Sequence, residues 1–282
     1  MARGALRFSG PVLGRRPLAL YTLDGDPKSD VGIHVSFGTW MLGYPDRAVQ
    51  VLHANITRAR RRGHPFQLGY VLALGCILWN LRREPAQMLA QIEEAEQLGR
   101  AHSLPFISEV LAQLFKGQAW LQAGRLAEGI PHLRNAIETY IMHGMELGMS
   151  LVRAILAEGL ALSGESEGGL QLIEDSLSQI ARPGWEERAY LAEVLRLKGW
   201  MLSLRGDLDG AEQNYLASLD WARRQQAKSW ELRTSTSLAR LWQQQGKQTE
   251  AHDSLAEVYG WFTEGFDTKD LQEAKALLEE LS

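Results

Sequence analysis

The chain has 282 residues, a net charge of −4 and 45% hydrophobic residues, enough apolar surface to fold but no general attraction for nucleic acid or anionic membrane. The lone cysteine, Cys76, excludes an intrachain disulfide framework and fits a reducing compartment. No apolar run approaches the ~18 residues that span a bilayer, so a cytoplasmic location without membrane contact is expected.

Residues 1–29 read as a loose leader. Arg3, Arg7, Arg15 and Arg16 precede the first acid, Asp24, and the apolar stretch and cleavage site of a secretory signal are missing. Asp24, Asp26 and Asp30 imitate the start of a calcium loop. Ser29 then stands where glycine is needed and Val35 where the bidentate glutamate is needed, so this stretch reads as a turn.

From Asp30 onward the pattern is that of paired helices. First helices are predicted near 30–42, 66–82, 106–123, 146–163, 185–205 and 229–245. Second helices follow near 45–62, 85–101, 126–142, 166–182, 208–226 and 248–261. The turn between partners falls at Gly43, Arg83, Gly124, Gly164, Gly206 and Gly246, with steps of 40, 41, 40, 42 and 40. Such a period marks an array of helix pairs.

Three further columns keep this spacing. Seven residues before each turn stand Ser36, Cys76, Gly117, Ala157, Gly199 and Ala239, all small. Five after stand Ala48, Met88, Gly129, Gly169, Ala211 and Ala251; twelve after stand Asn55, Ala95, Ala136, Ser176, Ser218 and Val258. Glycine inside a helix costs roughly 1 kcal/mol relative to alanine, so Gly117 and Gly199 signal close backbone approach. Arg83, alone in a glycine column, predicts a turn of different geometry. Cys76 falls in a small column and reads as a packed thiol rather than a nucleophile. Trp79, Trp120 and Trp242 share the column four before the turn and read as packing residues.

Past the sixth pair, an aromatic run, Tyr259 to Thr268, leads into an amphipathic helix from Lys269 to Leu281. Asp267 or Thr268 is placed to cap it, Asp270 suits its positive end, and Leu271, Ala274, Leu277, Leu278 and Leu281 form one apolar face. An array needs such a terminal element, apolar inward and polar outward. The expected division is a leader over 1–29, the array over 30–266 and a cap over 267–282.

Three motifs imitate chemistry. Gly164-Glu165-Ser166-Glu167-Gly168 spells the nucleophile elbow of serine hydrolases, which needs a strand before its turn. Ala157 to Leu162 reads as helix, so Ser166 is expected to cap the next helix instead. Arg58, Arg60, Arg61 and Arg62 form the strongest basic cluster but close a helix, where cations meet its negative end. The histidines show no metal-ligand spacing. No catalytic residue, metal or cofactor is expected.

The small-residue columns resemble those of the tetratricopeptide repeat, stretched from its usual unit to 40–42 residues as in activators of the maltose-regulator type. A closer resemblance is to the C-terminal region of bacterial signalling proteins that join a class III nucleotide cyclase to a P-loop ATPase. It is carried by Gly43-Tyr44-Pro45-Asp46-Arg47-Ala48, by Leu238-Ala239-Arg240-Leu241-Trp242 and by the run from Tyr259 to Thr268. The P-loop and paired metal-binding aspartates of those proteins are missing from this sequence.

The resemblance implies an all-α fold, a right-handed α-solenoid of about six tetratricopeptide-like helix pairs with a C-terminal capping helix. Its register places Gln118, Glu158, Arg196, Trp200, Arg240, Gln243 and Gln244 on the concave face. Arg196, Trp200 and Arg240 would together suit a ligand with an acidic group beside an apolar one. The expected function is a non-catalytic scaffold or sensor for a protein, peptide or small polar ligand, without direct nucleic-acid contact. A hydrolase built on Ser166 is the competing reading; regulation of transcription is a weaker one, as no DNA-reading module is evident.

Overall fold

The structure is a computed structural model that describes residues 27–282 apart from Glu186. Expectations about residues 1–26, the arginine-rich leader among them, lie outside the described residues. Helix α1 (Pro27–Met41) pairs with α2 (Pro45–Arg62), and α3 (Pro65–Arg82) with α4 (Pro85–Ala101). Helix α5 opens with a π-helical stretch, Phe106–Leu111, continues over Ala112–Gln122, and pairs with α6 (Leu126–Met142). The next pairs are α7 (Met149–Leu162) with α8 (Ser166–Ala181) and α9 (Leu191–Leu204) with α10 (Leu208–Arg224). Helix α11 (Lys228–Gln244) pairs with α12 (Gln248–Tyr259), and α13 (Lys269–Leu281) follows alone. This is an all-α solenoid of six helix pairs with a capping helix, and no strand occurs among the described residues.

The columns are physical contacts between partners. Ser36 Oγ donates to Ala48 O at 3.2 Å, and Cys76 Sγ lies 3.7 Å from Met88 O. A Cβ on Gly169 would stand 2.8 Å from Ala157 O, and one on Gly199 3.0 Å from Ala211 O. At each of these crossings the residue seven before the turn meets the residue five after it. Backbone there comes within one atom of backbone, which is why nothing large is tolerated. The weaker column, twelve after the turn, is buried in all six units.

All six turn residues are left-handed, from φ +60 at Arg83 to φ +95 at Gly43. The expectation of a different turn at Arg83 is therefore corrected. Its N–H reaches Asn80 O and the next N–H reaches Trp79 O, as Gly124 and Arg125 reach Leu121 O and Trp120 O. The carbonyls freed at each helix end are closed by this repeated cap. A second left-handed series, Gly63, Ser103, Gly144, Gly184 and Gln226, falls on the connections between units. Its mixed residue types hid it from sequence inspection.

Other boundaries moved. Helix α1 begins at Pro27, so Ser29 and Asp30, read as part of a turn, lie in its first turn. Helices α7 and α9 begin at Met149 and Leu191, later than expected: left-handed Gly148, at φ +82, is the N-cap of α7, and residues 187–190 before α9 are non-helical. Glu187, in the second of these connections, accepts from Gly148 N–H and from Ser150 Oγ, which closes the start of α7. Glu165, not Ser166, occupies the N-cap of α8, and Ser166 is its first helical residue. Thr268 is the N-cap of α13, but its hydroxyl donates back to Gly265 O at 2.7 Å rather than to the helix.

The two ends of the array meet. Glu264 accepts from the N–H groups of Asp46 and Arg47, both at 3.0 Å, and so caps α2 from the far end of the chain. Asp46 Oδ2 accepts from Gly265 N–H at 3.0 Å in return. The ring of Trp261 stands 5.5 Å from that of Tyr44, and a Cβ on Gly43 would stand 2.4 Å from Trp261. Trp40 of α1 packs edge-on against Trp230 of α11 at 4.8 Å. Two of the segments that carry the family resemblance, 43–48 and 259–268, thus form the two sides of one seam.

Candidate functional site: a central cavity

Closure at the seam turns the concave groove into a cavity of about 480 Å³, lined from α3 onward by the inward helices of the array and by α13. Its apolar wall includes Leu121, Ile155, Leu197, Trp200 and Leu241, and its polar wall Glu158, Glu193, Arg196, Arg233 and Arg240. The volume lies in the range of small-molecule and cofactor sites, where a few polar groups stand on an apolar background.

Glu158, Arg196, Trp200, Arg240 and Gln244 of the expected concave set border this cavity, whereas Gln118 and Gln243 do not. Gln118 is buried one layer behind it. Its Oε1 accepts from Asn80 Nδ2 and its Nε2 donates to Leu114 O, both at 3.1 Å, so it positions Asn80 in the wall. Gln243 is half-buried outside the wall.

Arg196 is occupied. Its Nε and Nη2 form a fork on Glu193 at 2.8 and 2.9 Å, one turn earlier on α9. Arg233 reaches the same carboxylate at 3.2 Å. Burial by itself pushes Glu193 up from the usual 4.5, but the two guanidinium groups outweigh it and hold the acid down at about 2. A lowered folded value means the contribution is fully present above about pH 4.5 and lost as the pH falls toward 2. Glu193→Gln is therefore expected to cost on the order of 3 kcal/mol at pH 7, since it takes from the buried Arg196 its ion-pair partner. The gap in thermal midpoint between wild type and variant should close as the pH drops below 4.5. Melting curves that stay equally far apart from pH 7 to pH 3 would contradict this.

Arg240 is the more accessible cation, with 49% of its side chain exposed and its nearest acid, Glu273, 3.9 Å away. Sequence reading did not place Arg233, Trp230, Tyr215, Asp270 or Glu273 at the site, and all five border the cavity. Arg83 carried a signal, as the one non-glycine in its column. Two polar atoms of bordering residues have no partner, the indole Nε1 of Trp230 and Oε1 of Gln122. Both atoms are themselves sealed from solvent, so neither opens onto the cavity.

The remaining motifs lie elsewhere. Ser166 opens α8 two residues after the left-handed Gly164, with a helix and no strand before that turn. Arg60 pairs with Glu94 at 2.7 Å at the end of α2. Cys76 is fully buried, its Sγ donates to Leu72 O at 3.4 Å, and burial pushes the thiol well above its usual value. No group of His, Cys, Asp or Glu suited to a metal ion occurs among the described residues. No described helix is long and apolar enough to cross a membrane.

Fold and cavity define a tetratricopeptide-like helical-repeat protein. No protein-family model and no curated protein matches the sequence. Among solved structures, the chain is similar to the apo form of the quorum sensor NprR from B. thuringiensis, with a TM-score of 0.56 and 16% identity. That match covers 94% of this chain and 85% of the other, and at this identity it speaks for the fold alone.

Proposed function

We propose that this chain is a non-catalytic receptor scaffold whose central cavity takes a short peptide or small polar ligand with an acidic group beside an apolar one. The observation that carries this reading is the central cavity of about 480 Å³, in which Leu197, Trp200 and Leu241 stand beside Arg240. Trp200 supplies a broad apolar face and Arg240 an accessible cation. We further propose that the chain serves as the sensor region of a bacterial signalling protein of the cyclase or ATPase kind. Likeness in fold to a quorum sensor supports a sensory role. A hydrolase using Ser166 finds no favouring observation.

The test is a library of tetrapeptides screened against the whole chain by fluorescence anisotropy. Hits should be enriched in acidic and apolar residues. Trp200→Ala and Arg240→Ala are each expected to weaken them by about 2 kcal/mol, roughly thirtyfold; the midpoint should hold in Arg240→Ala and fall in Trp200→Ala, whose ring also packs on the core. Hits that ignore both substitutions would move the site out of the cavity. Arg196→Ala is a poor probe, because it would break the buried pair with Glu193.

A further inference from the structure

The cavity already holds acids of its own. Three arginines from distant parts of the chain converge on the first turns of α13. Arg83, at the turn after α3, lies 3.1 Å from Asp270 and 3.0 Å from Glu273. Arg233 Nε donates to Asp270 Oδ2 at 3.1 Å, and Arg240 stands 3.9 Å from Glu273. All five side chains border the same cavity. Asp270 and Glu273, three apart on one helix face, present two carboxylates side by side.

Two observations set this cluster apart from an ordinary surface network. Arg83 holds φ +60 at a position where the other five units have glycine, a conformation unfavourable for any residue with a Cβ. Trp230 is fully buried, its Nε1 has no partner, and its ring lies 5.0 Å from the guanidinium of Arg233. Arg233 also stands 5.3 Å from the ring of Trp40 and donates to Leu81 O at 2.7 Å. It therefore touches both sides of the seam at once.

We infer that Arg83, Arg233 and Arg240 form an anion-binding wall, and that Asp270 and Glu273 occupy it in place of an acidic peptide that competes for the same arginines. This rests on the reading of the cavity as a peptide site. The apolar face of α13 stays on the sixth unit, where Leu271, Leu277 and Leu281 are buried. What an acidic peptide removes is the link from α13 to Arg83 across the seam. The remaining seam contacts include the Trp40–Trp230 edge, the Tyr44–Trp261 pair, the bonds of Arg233 to Leu81 O and of Ser229 to Trp40 O, and those that join Asp46 and Arg47 to Glu264 and Gly265. Occupancy of the cavity and closure of the array are in this way coupled through differential contacts in two states.

The experiment uses the whole chain and tetraglutamate as probe, with tetraglutamine as control, followed by calorimetry and by amide hydrogen exchange. Tetraglutamate should bind, and it should raise exchange in residues 43–47 and 261–273 of the wild type. Glu273→Gln, which frees Arg240 and one bond of Arg83, should bind it at least ~tenfold more tightly. The exchange readout needs no substitution and stands even where the variant folds poorly. Equal affinity of both proteins with unchanged or lowered exchange overturns the competition while leaving the cavity reading intact. So does absence of tetraglutamate binding when library peptides still bind through Trp200. If neither tetraglutamate nor any library peptide binds, the reading of the cavity itself falls, and the competition with it.

Discussion

Deletion of residues 267–282 is expected to lower the thermal midpoint by roughly 10–20 °C and to make the chain associate. Leu271, Leu277 and Leu281 are all buried, against Leu232, Leu255, Val258 and Phe262 of the last unit. Fully burying a leucine contributes ~1.5–3 kcal/mol, so the three together account for roughly 5 kcal/mol or more. Their loss also uncovers the partner face on α11 and α12, an apolar patch of the kind that drives self-association. The deletion further removes the ion pairs of Asp270 and Glu273 with Arg83 across the seam and that of Asp270 with Arg233. Sedimentation and calorimetry decide the matter. A truncated chain that remains monomeric and melts with the wild type would show the helix to be dispensable.

The second large effect is expected from leucine at the helix crossings. A Cβ on Gly199 would stand 2.8 Å from the ring of Tyr215 and 3.0 Å from Ala211 O. One on Gly117 would stand 3.0 Å from both Cα and Cβ of Leu133. Backbone cannot rotate away as a flexible side chain can, and Tyr215 is itself buried. Overpacking of this kind costs ~1–3 kcal/mol, and a full leucine side chain reaches the top of that range or beyond. Gly199→Leu and Gly117→Leu should each lower the midpoint by several degrees, roughly 3–10 °C. Glu138→Ala, on the exposed side of α6, should leave it unchanged. Three indistinguishable midpoints would refute the proposed crossings.

The architecture was legible because an array is built from local decisions. Gly43, Gly124, Gly164, Gly206 and Gly246 each close a helix by their own backbone freedom, and each small column answers to a neighbour about twelve residues away. A fixed step near 40 residues repeats those decisions, so the period appears in the sequence before any long-range contact is known. Helix starts that depend on an isolated device, such as Gly148 before α7, broke the period and were misplaced.

The site was legible only in part. Trp200 and Arg240 could be placed on the inner face because their register positions set their direction. Gln118 occupies an equally inward-looking position, yet a buried amide contact with Asn80 takes it out of the wall.

Sequence by itself determined the helix pairs, their order, their small crossing columns and the amphipathic cap, because each depends on residues within one unit. Tertiary structure alone decided that the array closes. That closure joins Asp46 to Gly265 and Arg83 to Asp270, contacts 219 and 187 residues apart that no repeat period encodes. Arg233 looked like any charged helical residue until the seam put Trp40, Leu81, Glu193 and Asp270 around it. A long-range contact of this kind depends on the small rotation added at every unit, and those rotations bring the two ends together around a central cavity only in the folded chain.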